Sequence, residues 1–196
     1  MPEQLSGDPL VVLARWMAAA DHRTMTFATA DADGVPHARS VLVTEIDSAG
    51  VRFHSSTPTT KTRDLAANPR ASAVFYWPAH ERQVVLEGRA AELDAETSRA
   101  GFRTQARQLQ LIAWAYQALL PQLEPPHYAV PPGAVEKAFD AAAADPASHE
   151  APPTWTTIRL EPHRVDFWQA GTETSPSTKT RFVRDGGGWR HFPVLP

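Results

Sequence analysis

Between Thr24 and Glu92 the chain carries five strand-like runs joined by connections too short for anything but antiparallel neighbours. The runs are Thr24–Thr29, His37–Ile46, Val51–Ser55, Ala71–Trp77 and Gln83–Glu92. Asp31-Ala32-Asp33-Gly34 and Asp47-Ser48-Ala49-Gly50 are turn signals between the first three. A short helix fits Thr59–Ala67, and Asn68-Pro69 ends it because proline disfavours helix at the residue before it. Parallel strands would need crossovers of about a dozen residues or more, and these gaps leave no room for them. The run therefore reads as an antiparallel β-barrel or a strongly curled sheet.

The flanks add helices and a β tail. Asp8-Pro9 followed by Leu10, Val11, Leu13, Ala14, Met17 and Ala18 predicts a capped helix to about His22. Helical spacing recurs over Glu96–Gln105 and Arg107–Leu120. A proline-rich connector, Pro121–Pro132, follows, then a short Ala-rich helix, Val135–Ala144, and a mobile loop over Asp145–Pro153. Strands return at Thr156–Leu160, Arg164–Trp168, Arg181–Arg184 and Trp189–Phe192, the last two joined by an Asp185-Gly186-Gly187-Gly188 hairpin turn. With 196 residues, no internal repeat and no convincing linker, the expectation is one domain, mainly β with helices (α+β). Its core barrel spans about 23–93 plus 155–196, with a helical insertion over about 94–145.

Composition excludes several function classes. A net charge of −3 with scattered basic residues argues against a nucleic-acid partner, whose phosphates are bound mainly by Lys and Arg. The absence of cysteine removes disulfides, thiolate catalysis and Cys-type zinc sites. The eight histidines show no metal-ligand spacing, so no metal site is expected. No apolar run approaches the ~18 residues that suggest a membrane span, and the start of the chain shows no secretory pattern, so cytoplasm is the expectation.

The chemistry-bearing block runs from His37 to Arg89. Arg39 lies on a strand; Ser55-Ser56-Thr57-Pro58-Thr59-Thr60-Lys61 forms a hydroxyl-rich turn leading into a helix. Taken alone, Arg39 fits a solvated strand face, and a lysine at a helix start is ordinary. Together with Ser55, Thr59 and Thr60 they make the donor set a phosphate dianion needs, because charge-assisted hydrogen bonds are about twice as strong as neutral ones. A phosphorylated cofactor is the reading. His80-Glu81 fits turn chemistry better than an acid–base pair, and Trp77, Trp114, Trp155 and Trp189 fit core or interface positions.

The order Arg39-x-x-Leu42, Phe53-His54-Ser55, Lys61, Asn68-Pro69-Arg70 and Glu81-Arg82-Gln83-Val84 resembles the pyridoxamine 5′-phosphate oxidase family. So does the tail, Pro162-x-x-Val165-x-Phe167-Trp168-Gln169, then Arg181-Phe182 and Trp189-Arg190; the likeness covers roughly residues 8 to 196. It implies a split β-barrel homodimer with FMN at the subunit interface. By the same resemblance Arg39 and Lys61 bind the FMN phosphate, with Ser55 and Thr60 as hydroxyl helpers. Ser40, Val41 and Leu42 run along the flavin, and His54 takes an aromatic position. Gln83, Trp168 and Arg181 reach the flavin across the interface. Thr60 replaces an arginine usual before the lysine, and Gln117 is displaced by one residue from the family's Trp-Ser-x-Gln-Ser segment.

The substrate half departs from the family. Thr44 replaces a phosphate-binding lysine; Gly101, Gln105 and Leu109 replace tyrosine, arginine and serine; Ser177-Thr178-Lys179 stands in place of an Arg-x-His pair. Thr44, Gln105 and Lys179 are the positions expected to face the substrate. The leading expectation is an FMN-dependent oxidase that dehydrogenates a C–N or C–C unit of a small molecule with O₂ as acceptor, such as a phenazine-type oxidation. The alternatives are a divergent pyridoxamine or pyridoxine 5′-phosphate oxidase, a flavin-binding protein without turnover, and a nicotinamide-dependent flavin reductase. No catalytic acid or base is identified.

Overall fold

The computed structural model describes residue 3, residues 5–125 and residues 127–196. Eight strands form one antiparallel sheet: β1 (Thr24–Ala30), β2 (Pro36–Ile46), β3 (Val51–Ser56), β4 (Arg70–Trp77), β5 (Arg82–Glu92), β6 (Trp155–Gln169), β7 (Thr178–Asp185) and β8 (Gly188–Val194). Their order is β3-β2-β1-β4-β5-β6-β7-β8, and pairing of β3 with β6 closes the first six into a barrel. The described residues also form helices α1 (Pro9–Ala18), α2 (Thr60–Ala67), α3 (Ala95–Phe102), α4 (Arg107–Leu119) and α5 (Ala134–Ala144). The chain divides into two compact units, one of residues 1–53, 63–91 and 159–196, the other of residues 54–62 and 92–158.

In the first unit, turn chemistry sets the hairpins. The Asp31 carboxylate accepts the N–H groups of Asp33 and Val35, and Gly34 takes φ +84°, which a side chain would resist. Asp47 does the same for Ala49 and Gly50. Alternation along the strands then buries Phe27, Phe53, Phe75, Trp77, Val84 and Leu86. Phe27 and Phe53 meet with ring centroids 4.8 Å apart, Phe167 and Phe182 at 5.6 Å. Burying each such ring is worth about 1.5–3 kcal/mol. Asp8 caps α1 through the Leu10 N–H, and the helix buries Leu10, Val12, Leu13, Trp16 and Met17. It ends at Ala18, short of the expected His22.

The expected pair of strands Thr156–Leu160 and Arg164–Trp168 is a single fifteen-residue strand, β6. Glu161-Pro162-His163 reads as an interruption because proline cannot donate to a ladder. At this point β5 and β6 approach closely: a Cβ on Gly88 would lie 2.1 Å from the Glu161 carbonyl oxygen and 2.7 Å from Pro162 Cα. The missing side chain on β5 leaves room for the β6 backbone at Glu161 and Pro162.

In the second unit, Asp94 caps α3 through the Thr97 N–H, and Trp155 donates its indole N–H to the Ser98 carbonyl. The segment expected as a mobile loop, Asp145–Pro153, instead contains a 3₁₀ turn over Pro146–His149. Ser148 is fully buried; Arg107 donates to its carbonyl (2.8 Å) and hydroxyl (2.5 Å). Trp114 donates to the Glu150 carbonyl. Long-range side-chain donors order this stretch, and local composition does not reveal them.

Candidate functional site

In the barrel unit, Arg39 sits on β2 opposite Phe27 of β1. Its Nη1 donates to the Phe27 carbonyl (3.2 Å) and to Thr29 Oγ1 (2.8 Å). The Thr29 hydroxyl in turn donates to Asp64 Oδ2 at 2.6 Å, and His37 Nδ1 lies 2.9 Å from the same oxygen. Asp64 is buried, and Arg39 Nη2 stands 4.0 Å from it. Burial lowers the Arg39 pKa from its ordinary value, and the Asp64 charge works against that shift. The Nε and Nη2 donors of Arg39 have no hydrogen-bond partner among the described residues. This guanidinium is clamped at one end, with its remaining donors able to meet an anion.

Ser40 and Leu42 point to the outer face of β2, Leu42 being 51% exposed, while Val41 turns inward beside Arg39. Thr44 lies at a register shift in the β2–β3 pairing and donates to the Arg52 carbonyl. With Arg23 and His22 it lines a concavity of about 630 Å³. Gln83 pairs in register with Tyr76, half-buried.

In the tail, Arg181 forks onto the buried Asp166, Nε to Oδ1 at 2.8 Å and Nη2 to Oδ2 at 2.7 Å. Lys179 Nζ stands 3.6 Å from Asp166 Oδ2, and Lys179 pairs in register with Trp168. Burial works to raise the Asp166 carboxyl, but the Arg181 hydrogen bonds and the Arg181, Arg164 and Lys179 charges outweigh it and hold the pKa below the usual range. Arg181 is correspondingly raised, chiefly by its bonds to Asp166.

In the second unit, Lys61 Nζ donates to Ser55 Oγ (2.9 Å) and Thr59 Oγ1 (3.3 Å), so the cation and hydroxyls of the turn do converge. Thr62 fixes that turn by accepting from the Thr59 N–H and donating to the Thr59 carbonyl. Thr60 is exposed at the first residue of α2. His54 packs against Trp155 with the rings tilted by 36° (centroids 4.7 Å apart), its Nδ1 2.8 Å from Thr157 Oγ1. Burial pushes its pKa down to about 4. Gln105 donates its amide to the Gly101 carbonyl, and Gln117 accepts the Thr154 N–H. Gln117 thus has a structural hydrogen bond in its displaced position.

Thr29, Asp64 and Asp166 carry no local sequence signal that marks them as site residues. Asp64 lies 35 residues from Thr29, and no local pattern joins them. Asp166 falls between the apolar residues Val165 and Phe167, where only burial distinguishes it.

The first six strands define a closed antiparallel barrel protein. The chain belongs to the pyridoxamine 5′-phosphate oxidase family, whose model, described as pyridoxamine 5′-phosphate oxidase, matches residues 16–169. The pyridoxine/pyridoxamine 5′-phosphate oxidase of Rubrobacter xylanophilus is 34% identical over 195 residues, covering 96% of this chain and 87% of the relative. That of Anaeromyxobacter dehalogenans is 35% identical over 202 residues, covering 100% and 99%. Among solved structures, PhzG from Burkholderia lata 383, in complex with tetrahydrophenazine-1-carboxylic acid, superposes with TM-score 0.82 at 24% identity, covering 97% of this chain and 94% of that one. A pyridoxamine 5′-phosphate oxidase-related, FMN-binding protein from Nostoc punctiforme gives 0.76 at 18% identity, covering 99% and 100%.

Proposed function

We propose that the protein is an FMN-dependent oxidoreductase, an oxidase acting on a small molecule other than pyridoxine phosphate. The observation that carries the cofactor is Arg39: its Nη1 end is fixed, and its Nε and Nη2 donors make no hydrogen bond among the described residues, Nη2 standing 4.0 Å from Asp64. An arginine fork, a lysine and hydroxyls suit the roughly two negative charges of a phosphate monoester. Arg39, Lys61, Ser55 and Thr60 are assigned to the phosphate, and Ser40, Val41, Leu42 and His54 to the flavin. FMN, when bound, supplies hydride acceptance and reoxidation by O₂. The residues around it orient, exclude water and set charge.

The protein is proposed to act as a homodimer, with Gln83, Trp168 and Arg181 contributed by the second subunit. The outer barrel face supports this reading. In register across β2, β1, β4 and β5 stand Ser40, Thr26, Val74 and Val85, with Leu42 opposite Thr24. That face lacks charge over these positions and exposes Leu42 and Tyr76, both 51% accessible.

A rebuilt substrate half supports a substrate without the usual phosphate. Gly101 packs on His54, leaving no space for a side chain; Gln105 is turned to the Gly101 carbonyl; Lys179 is drawn to Asp166. The names of the relatives at 34–35% identity favour a second reading, pyridoxine/pyridoxamine 5′-phosphate oxidase itself. Steady-state oxygen uptake by the FMN-loaded protein separates the two. Efficient turnover of pyridoxine or pyridoxamine 5′-phosphate overturns the first reading; absence of that turnover, with rapid reoxidation of the photoreduced protein by O₂, supports it.

A further inference from the structure

We infer that Thr29, anchored by Asp64, is a positioning residue that aims Arg39 at a phosphate ester; the inference rests on the FMN reading. Asp64 is a buried carboxylate, and such a group is tolerated only when donors meet it. Thr29 Oγ1 supplies the shortest contact, at 2.6 Å. Giving its proton to Asp64 leaves the hydroxyl oxygen as an acceptor, and Arg39 Nη1 donates to it at 2.8 Å. The relay therefore has one polarity, from Arg39 through Thr29 to Asp64. The Phe27 carbonyl takes the second Nη1 proton at 3.2 Å. A planar guanidinium held by both protons of one nitrogen has its other edge fixed in direction.

The geometry is built from register. Phe27 faces Arg39, and Thr29 faces His37, two residues further along the same β1–β2 ladder. Asp64 then meets both Thr29 and His37, so one carboxylate locks two neighbouring positions. Arg39 itself is only 4.0 Å from Asp64 at Nη2 and makes no direct hydrogen bond to it. The hydroxyl, which carries no charge, transmits the anchoring without adding to the anion's repulsion.

The test compares FMN with riboflavin, which lacks the phosphate, by titrating the quenching of flavin fluorescence. Thr29→Val is expected to raise the Kd for FMN about tenfold and that for riboflavin less than twofold. Thr29→Ser, which restores the hydroxyl, is expected to stay within twofold of the unsubstituted protein, and Thr29→Val is expected to add nothing in an Arg39→Ala background. If Thr29→Val does not fold, Thr29→Cys keeps the volume, weakens the acceptor and is expected to show the same FMN-selective loss. Equal weakening of FMN and riboflavin, no weakening, or a loss that persists without Arg39 overturns the inference while leaving the FMN reading intact. Failure of the unsubstituted protein to bind FMN overturns both.

Discussion

His54 and Gly101 are complementary: a Cβ on Gly101 would lie 2.6 Å from His54 Cε1 and 3.1 Å from Nε2. The imidazole fills space that any side chain at position 101 would claim. It is also held by packing against Trp155 and by the contact with Thr157, so it cannot give way cheaply. Gly101→Ala is expected to destabilise the protein by about 1–3 kcal/mol, the usual range for overpacking. Adding His54→Ala should recover part of that loss. Equilibrium denaturation of the single and double variants measures the coupling, and additive losses would contradict the packing argument.

His54 also gives stability a defined pH dependence. Its pKa is lowered by burial from the ordinary 6.5 to about 4. Above about pH 6.5 the ring is neutral folded and unfolded, and pH has no effect through it. Between about 6.5 and 4 the unfolded chain takes a proton the folded chain refuses, so stability falls as pH falls. Below about 4 both states are protonated and the contribution levels off. Unfolding midpoints between pH 7 and 4 should decline less steeply in His54→Phe than in the unsubstituted protein.

Asp166 organises the tail. Asp166→Asn keeps the shape but removes the charge that Arg181 forks onto, leaving a polar group buried against a cation. A loss of about 1–3 kcal/mol at neutral pH is expected, in line with weakening hydrogen bonds to charged groups. Because the folded-state pKa is depressed, the native carboxylate's contribution is present above the ordinary carboxyl pKa and fades as pH falls through the lowered one. The difference between the two proteins should therefore shrink in acid, as chemical denaturation from pH 7 to 3 can show.

Arg107 governs the order of the segment from Asp145 to Pro153. It donates to Ser148 at two atoms and to Gln110 Oε1 at 3.2 Å. Arg107→Met keeps most of the apolar stem and removes every donor. Amide exchange across residues 147–150 is expected to accelerate at least tenfold, the effect of about 1.4 kcal/mol on a local opening equilibrium. Exchange in the β1–β2 hairpin serves as the unaffected reference.

Local signals carried much of the architecture. Asp8-Pro9, Asp31-Gly34, Asp47-Gly50 and Asp185-Gly188 mark a helix start and three turns because each acts on backbone a few residues away. Strand alternation gave the barrel core, and the hydroxyls around Lys61 were legible because they lie within six residues of it. What escaped depends on distant partners. Gly88 leaves room for the backbone of Glu161 and Pro162, and Ser148 is held by Arg107 as well as by nearby Asp145. Asp64 and Thr29 become a relay only after α2 and β1 have folded. The expectation of FMN comes from family resemblance, and the positions expected to face the substrate are the ones where the chain departs from the family: Thr44, Gly101, Gln105 and Lys179.

The most direct measurement is a titration of the purified, flavin-stripped protein with FMN, following the visible absorption band and fluorescence quenching, beside an Arg39→Ala variant. Saturable binding of one FMN per chain is expected, weakened at least tenfold by Arg39→Ala, with a dimeric sedimentation coefficient in the loaded state. A protein that stays colourless and leaves FMN fluorescence unquenched would contradict it.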